Sequence, residues 1–544
     1  MKYILLFLLL IAEQGFAQKI SRSDKKIVKA LQNHIAYLAD DKLEGRRTGT
    51  PGEKLAYEYI TEQFKKAGIP AAGTAGDYLQ AFEVNDGKQV SAETVFSVNN
   101  QSLSLNEDFF PLSWSANGSL QMDVYQSLKE KGEIWFYDLN ELLSKNAGNP
   151  HYDLQDGMLK MVAEQAKKGA AALILYNSSS LPDNLKFEPK DKTETASIPV
   201  IYITQPARKK YLADEVNMLK LKLAVSINTK TRTGHNVVAF LNNNASNTVI
   251  IGAHYDHLGY GEDHNSLYSG STPMIHNGAD DNASGTAALI ELSKLLQSSD
   301  LKSNNYLIIA FSGEELGLFG SKYFTDHPTI SMGSVNYMIN MDMVGRLNDS
   351  THGLTIGGYG TSPYWSHLID TSNKYFRIKV DSSGSGPSDH TSFYKKDIPV
   401  LFFFTGTHFD YHKPSDDADK INYTGEIRVI RYIYDIIKNA DGKEKLAFTK
   451  TRETSTGKST FKVSLGIMPD YTYNGAGVHV DGVSAGKAAE KAGVKTGDVL
   501  IQLGEHKFTD VQSYMNALNK FNKGDSTKLK LMRDGKEIIL DVTF

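Results

Sequence analysis

The chain runs to 544 residues, of which 40% are apolar and 22% charged; at about 150 residues per domain that makes three or four globular domains. Its 59 Lys and Arg against 63 Asp and Glu leave a net charge of −4, which argues against nucleic acid as a main partner. Cysteine is absent, so disulfides, thiolate nucleophiles, iron–sulfur clusters and thiolate-held metals are excluded, and any metal must be bound through nitrogen and oxygen.

Met1-Lys2, an apolar run over residues 3–12 and the small residues Gly15 and Ala17 read as a secretory signal cut after Ala17. The run is too short for a bilayer, which takes about 20 residues, and no later stretch is long enough. The expectation is an exported protein, periplasmic or extracellular, with no membrane anchor.

In residues 21–40, Ile27, Leu31, Ile35 and Leu38 recur at helical spacing. After the turn-like Leu43-Glu44-Gly45-Arg46-Arg47-Thr48-Gly49, the run Thr50-Pro51-Gly52-Glu53 has the form of a capping box, opening a helix through Tyr57, Ile60 and Phe64 to Gly68. Residues 120–230 differ in character, with short strands at 134–137, 172–176 and 199–204, one helix around 158–168, and polar loops. From Asn236 onward apolar strands alternate with helices: a strand at 249–253, a helix at 285–296, then strands at 306–311, 337–343 and 400–404. Continuous apolar strands separated by helices imply an α/β fold, its mostly parallel sheet sandwiched by helices. Residues 441–458, rich in Lys, Glu, Thr and Gly, read as a linker. A compact final segment follows, with strands at 461–468, 478–480 and 499–503, a helix over 510–521 and a hairpin turning at Asp534-Gly535.

Metal-binding side chains stand after several of the apolar strands. They are His254-Tyr255-Asp256-His257, Asp280-Asp281-Asn282-Ala283-Ser284-Gly285 before a helix, Glu314-Glu315, Asp342 within Asn340-Met341-Asp342-Met343, and Tyr411-His412. In an open parallel sheet the carboxyl ends of the strands share one edge, where ligands sit, so residues far apart in sequence can meet there. Each group alone has an ordinary explanation. Asp280-Asp281 can cap a helix, Glu314-Glu315 can favour a helix N-terminus, and a lone His is commonly structural. Asp342 is harder to dismiss, because a carboxylate in an apolar strand is costly unless paired. The coincidence of all of them at one sheet edge is the central inference.

The ordered set His-x-Asp, Asp-x-x-Ser-Gly, Glu-Glu, Asp, Tyr-His resembles the co-catalytic di-zinc aminopeptidases of the bacterial leucyl aminopeptidase and aminopeptidase Y type. Leu43-Glu44-Gly45-Arg46-Arg47 is similar to a segment of exported bacterial members. Residues 120–231 resemble the β-rich protease-associated (PA) domain that such enzymes carry as an insert. Residues 459–544 resemble a PDZ domain, with Ser464-Leu465-Gly466-Ile467 where the carboxylate-binding loop belongs and Ala492-Gly493-Val494-Lys495-Thr496-Gly497-Asp498 typical of protease-attached modules. The implied layout is a signal at 1–17, a first part of the peptidase domain at 18–119, the PA-like insert at 120–231, the catalytic domain at 232–440, the linker at 441–458 and the PDZ-like domain at 459–544.

The resemblance implies two Zn²⁺ ions per chain. His254 and Asp342 would hold one, Glu315 and His412 the other, and Asp281 both, with a cis peptide after Asp281. With a bridging hydroxide the three carboxylates neutralise the two cations, and the metals bring that water's pKa from about 15.7 toward 7. Glu314 would be the general base, Asp256 would accept the second N–H of the His254 ring, and the Tyr411 hydroxyl would steady the oxyanion. His257 and His276 read as structural or rim residues, Ser388-Asp389-His390 as pocket wall or supporting shell, Phe402-Phe403-Phe404 as core, and Gly357-Gly358-Tyr359-Gly360 as a pocket-lining turn.

The function this implies is removal of N-terminal residues from peptide substrates. Two other readings stay open. A carboxypeptidase or glutaminyl cyclase-like acyltransferase would use the same chemistry, the former needing a cationic clamp such as Arg346 or Arg377. A non-catalytic peptide-binding protein would rely on its PA-like and PDZ-like parts. The PDZ-like domain is expected to take a C-terminal peptide by adding it to a sheet edge.

Overall fold

The computed structural model describes residues 21–146, 152–191, 193–213, 216–263, 265–451, 463–469, 473, 475–483, 486–509 and 511–544. The segment read as a signal, 1–17, lies outside them. No helix among the described residues is long and apolar enough to cross a membrane. The chain forms two compact units, one from the residues up to Phe82 together with those from Thr233 on, the other Glu83–Arg232.

The first unit is built on an eight-stranded sheet of β1 (Leu79–Val90), β2 (Ile227–Leu241), β3 (Thr248–His254), β4 (Asn305–Phe311), β5 (Val335–Met341), β6 (Gly353–Gly357), β7 (Arg377–Val380) and β8 (Val400–Phe404), in the order β1-β2-β4-β3-β5-β8-β6-β7, of which β1 beyond Phe82 and β2 before Thr233 fall in the second unit. The four central strands β4, β3, β5 and β8 are parallel, whereas β2 and β6 run antiparallel to their neighbours β4 and β8. Every residue of β3, β4 and β5 is buried, the signature of a sheet covered on both faces.

Alternate residues of each strand serve opposite cores. Val249, Ile251, Ala253, Ile308 and Ile339 belong to one, together with apolar side chains of helices α1 (Arg22–Leu38), α2 (Pro51–Ala67), α3 (Gly285–Gln297) and α5 (Tyr423–Ala440). Ile250, Leu307, Ile309 and Met338 face the other way, against Phe324 of α4 (Phe319–Asp326) and Phe393. This period of two is a strand's own. Gly252 lies on that second face, where a Cβ would come within 2.5 Å of the Phe311 ring.

Helix α2 starts where the capping signal places it, with Thr50 as N-cap and Pro51 in the first turn, and stops at Gly68 in the left-handed region. Glu53 differs from the capping-box expectation. Its Oε2 accepts the Gly49 N–H at 2.8 Å. Its Oε1 accepts the Ser312 hydroxyl at 2.6 Å and the Tyr255 hydroxyl at 3.2 Å, so this buried carboxylate ties the helix start to the ends of β3 and β4. Residues 441–451 also depart from the linker reading. They are fastened to the sheet domain by the Leu446 N–H to Asn336 Oδ1 (2.8 Å), the Thr449 N–H to the Thr361 carbonyl (2.8 Å) and Thr451 with the Tyr394 hydroxyl. Residues 452–458 lie outside the described ones.

The C-terminal part holds a sheet in which Ile467–Pro469 is an edge strand beside Val478–Val483, with helices Ala488–Ala492 and Val511–Leu518. Its last hairpin turns on Asp534 and Gly535, both at positive φ, between strands paired up to Arg533 and Lys536, as a two-residue primed turn requires.

The second unit begins at Glu83 and so takes in residues 83–119, assigned to the peptidase domain from sequence. It contains a mixed sheet in which Ile134–Asp138, Ala172–Tyr176 and Val200–Ile203 run parallel, with helix Leu154–Lys168 between the first two in sequence. An antiparallel sheet of Val95–Val98, Gln101–Ser102, Gly118–Val124 and Leu219–Val225 completes it.

Candidate active site

From β3 the chain moves to β4 on one side and then returns to β5 on the other. That reversal opens a crevice at the carboxyl ends of β3 and β5, the place where open α/β sheets bind ligands. His254 is the last residue of β3. Asp342 lies one residue beyond the end of β5 rather than inside it, with its N–H donated to the Phe403 carbonyl at 3.1 Å. Glu314 and Glu315 occupy the loop after β4, and Tyr411 and His412 the loop after β8. Asp281 lies in a tight turn before α3, and its peptide bond to Asn282 is cis. Asn282 pins that turn to the end of β5: its Nδ2–H donates to the Met341 carbonyl (3.0 Å) and its Oδ1 accepts the Met343 N–H (3.1 Å).

These side chains converge into two groups that share one carboxylate. His254 Nε2 lies 3.3 Å from Asp342 Oδ1 and 3.4 Å from Asp281 Oδ1. His412 Nε2 lies 3.3 Å from Asp281 Oδ2 and 3.3 Å from Glu315 Oε2. Ligand bonds of about 2.0–2.1 Å in tetrahedral array place two donors about 3.3 Å apart, so each group has the spacing of donors around one cation. Asp281 faces one oxygen into each.

The remaining nitrogens of the two rings fix which atom faces the carboxylates. His412 Nδ1–H donates to the Asn265 carbonyl at 2.9 Å and His254 Nδ1–H to the Asp256 carbonyl at 3.2 Å, leaving each Nε2 lone pair turned inward. A lone pair facing carboxylate oxygens is a repulsive arrangement unless a proton or a cation lies between them. The nitrogen and oxygen donors and their spacing therefore fit a pair of divalent metals.

The Asp256 carboxylate lies beside the His254 ring but is not its nearer acceptor. Its Oδ1 stands 3.6 Å from His254 Nδ1, farther than the backbone carbonyl of the same residue. It accepts the Thr48 hydroxyl at 3.0 Å and the Glu314 N–H at 3.2 Å, and so fixes the backbone from which Glu314 projects. Glu314 Oε2 stands 4.0 Å from His254 Nε2. Burial, together with Asp342, Glu315 and Asp389 and against the pull of His254, lifts the Glu314 carboxyl well above the usual range. Burial also disfavours the Glu315 anion, but the neighbouring His412 and a hydrogen bond from His257 hold it down at about 2.

The Arg46 guanidinium, from the turn before α2, is buried and among the described residues donates only to backbone carbonyls. They belong to Tyr255 (2.8 Å), Asn277 (2.6 Å), Gly278 (3.0 Å) and Leu38. One side chain thus joins the loop after His254 to the loop before Asp281. Asp416 completes the frame, its Oδ2 accepting the N–H groups of Asp280 (3.0 Å) and Asp281 (3.1 Å).

Comparison with known proteins agrees with this geometry. Residues 236–437 match peptidase family M28 and residues 460–544 the PDZ domain. Aminopeptidase YwaD of Bacillus subtilis (strain 168) is 27% identical over 268 residues, covering 47% of this chain and 53% of YwaD. The uncharacterized protein YfbL of Escherichia coli (strain K12) is 30% identical over 230 residues, covering 35% of this chain and 67% of YfbL. The chain belongs to peptidase family M28. An aminopeptidase of Pseudomonas aeruginosa (strain UCBPP-PA14) is 26% identical over 416 residues, 70% of either chain. The chain thus spans about half the length of YwaD.

Within the M28 domain the other candidate residues separate clearly. His276 is a loop residue, bonded to the Ser266 hydroxyl (2.6 Å) and the Met274 carbonyl (2.9 Å). Ser388 Oγ accepts the Asn340 Nδ2–H at 2.8 Å, and His390 stacks on Phe402 with ring centres 4.5 Å apart. Asp389 is buried beside the site, where burial, with Asp256 and Asp342 near and against His254, lifts it to about 7. Of the aromatic run, Phe403 is core while Phe402 and Phe404 are half-buried. The Tyr411 ring stacks on that of His412 at 3.9 Å.

Sequence reasoning missed Asp416 and the contact that His257 makes. Asp416 stands four residues after His412, and only its backbone partners reveal its part. His257, which reads from sequence as structural or rim, is buried with Nδ1 2.8 Å from Glu315 Oε1. Its spacing of three from His254 was a usable signal.

Proposed function

We propose that the protein is an exported zinc-dependent aminopeptidase of the M28 family. The observation that carries the reading is the division of Asp281, one oxygen in the His254–Asp342 group and the other in the His412–Glu315 group. His254, Asp342 and Asp281 would hold one Zn²⁺, and His412, Glu315 and Asp281 a second. Bound zinc supplies Lewis acidity toward a carbonyl oxygen and makes water acidic near neutral pH.

The chain's own residues supply proton transfer and placement. Glu314 touches no other side chain of the cluster at hydrogen-bond distance, and a raised carboxyl pKa suits it to take a proton from water and pass it to the departing amine. Asp256 and Thr48 hold the Glu314 backbone while that happens. Tyr411, whose ring stacks on that of His412, would donate its hydroxyl to an oxyanion.

Arg346, a cation that a carboxypeptidase would require for the substrate carboxylate, is held by Asp410 at 3.2 Å, which favours N-terminal cleavage. The unit Glu83–Arg232 serves as a PA-type insert. The edge strand Ile467–Pro469, with helix Val511–Leu518, offers a C-terminal peptide a sheet edge to extend. The basic start and apolar run of residues 1–17 support export to the periplasm or medium.

One peptide in three forms tests the direction of cleavage. The free and C-amidated forms are expected to be hydrolysed from the N-terminus alike, and the N-acetylated form to be inert. Cleavage that survives acetylation but is stopped by amidation would replace this reading with a carboxypeptidase. No hydrolysis of any form, with tight binding of a C-terminal tail, would replace it with a binding protein.

A further inference from the structure

The two oxygens of Glu315 face different partners. Oε2 is 3.3 Å from His412 Nε2, whereas Oε1 is 2.8 Å from Nδ1 of His257. The first separation is the edge of a tetrahedral cation site, about 3.3 Å for bonds of about 2.0–2.1 Å. The second is shorter than that edge and has the length of a charge-assisted hydrogen bond, about 2.7–2.9 Å. A carboxylate only accepts, so His257 Nδ1–H donates.

The His257 ring is confined. It is 2% exposed, meets the His412 ring edge-on with centres 5.9 Å apart, and lies so close to Gly278 that a Cβ there would come within 2.4 Å of its Cδ2. Its Nε2 is buried and has no hydrogen-bond partner among the described residues, which leaves the bond to Glu315 as the polar contact that orients the ring. The Asn265 Nδ2–H holds the Glu315 backbone at its carbonyl (3.2 Å), so both ends of this glutamate are restrained.

We propose that His257 is a positioning residue of the second cation site. By occupying Oε1 it makes Glu315 a donor through Oε2 alone, aimed at the space shared with His412 Nε2 and Asp281 Oδ2. The inference rests on the zinc reading above and adds a residue that touches neither cation nor substrate. Direct ligation is the competing role, since His257, Asp281 and Glu315 offer donor atoms within 4.8 Å of one another.

The experiment measures zinc affinity at each site by competition with a chromophoric chelator, using the full chain as wild type, His257→Ala and His257→Asn. Asn carries an N–H donor close to the place of Nδ1. Cobalt(II)-substituted samples give the absorption spectrum of each site. For His257→Ala the affinity of one site falls about 10–100-fold, the usual cost of losing a partner that orients a ligand, while the other site holds. His257→Asn restores most of the loss and the wild-type cobalt spectrum. If His257→Ala does not fold, His257→Leu, nearer in volume and equally without a donor, takes its place.

Unchanged affinities, or equal weakening of both sites, would overturn the positioning role and leave the zinc reading standing. A His257→Asn variant as weak as His257→Ala, with a cobalt spectrum that has lost a nitrogen ligand, would make His257 a ligand instead. Wild-type protein that binds fewer than two zinc ions would overturn both this inference and the reading beneath it.

Discussion

Glu314→Gln lowers turnover by about 10²–10⁴-fold, the range for loss of a positioned general base, and leaves the zinc content of the protein unchanged. The expectation follows from what Glu314 does and does not touch. Its Oε2 stands 4.0 Å from His254 Nε2, beyond the 3.3–3.4 Å at which the ligand-type pairs lie. Its backbone is fixed separately, through the N–H held by Asp256. Glutamine keeps the size and the backbone bond but cannot take a proton. Metal analysis beside steady-state kinetics on a free-N-terminal peptide decides the point. Retained turnover would remove Glu314 from the proton path, and loss of zinc would turn it into a ligand.

The second large effect is expected at Asp281. Asp281→Ala should lose both metals together after exhaustive desalting, and activity should fall to background. His412→Ala should weaken one site and spare much of the other. The difference arises because Asp281 presents Oδ1 to the His254 group and Oδ2 to the His412 group, while His412 belongs to one group alone. Two N–H bonds from Asp280 and Asp281 to Asp416 and the Asn282 bridge to the end of β5 hold the backbone at this place. A loss of both metals is therefore attributable to the missing carboxylate if the circular dichroism spectrum is unaltered. An Asp281→Ala protein that kept one full equivalent of zinc would show that the two groups do not share this residue.

Much of the centre was legible because strand ends are legible. The apolar runs that became β3, β4 and β8 are bounded by polar residues; His254 ends the first, and Glu314-Glu315 and His412 lie in the loops after the other two. Asp342 was expected inside its strand, and the structure ends β5 at Met341. The boundary is hard to read because the apolar run continues to Met343 on the far side of the carboxylate.

What escaped is held by backbone atoms, which carry no sequence signal of their own. Arg46 reads as part of a polar turn, yet the bonds it makes among the described residues end on main-chain carbonyls. Residues 441–451 looked like a linker by composition, but main-chain N–H groups at Leu446 and Thr449 fasten them down. Asp256 stands two residues from His254, which suggested a bond to its ring. The carboxylate instead serves Thr48 and Glu314, and the carbonyl of the same residue meets the ring. The second compact unit takes in residues 83–119 as well, where short strands such as Val95–Val98 and Gln101–Ser102 are too brief to show a period.

Zinc anomalous diffraction from crystals of the zinc-loaded protein tests the central claim most directly. Two peaks per chain are expected, one among His254, Asp342 and Asp281 and one among His412, Glu315 and Asp281, with the Asp281 carboxylate reaching both. A single peak, or peaks away from these side chains, would contradict the account.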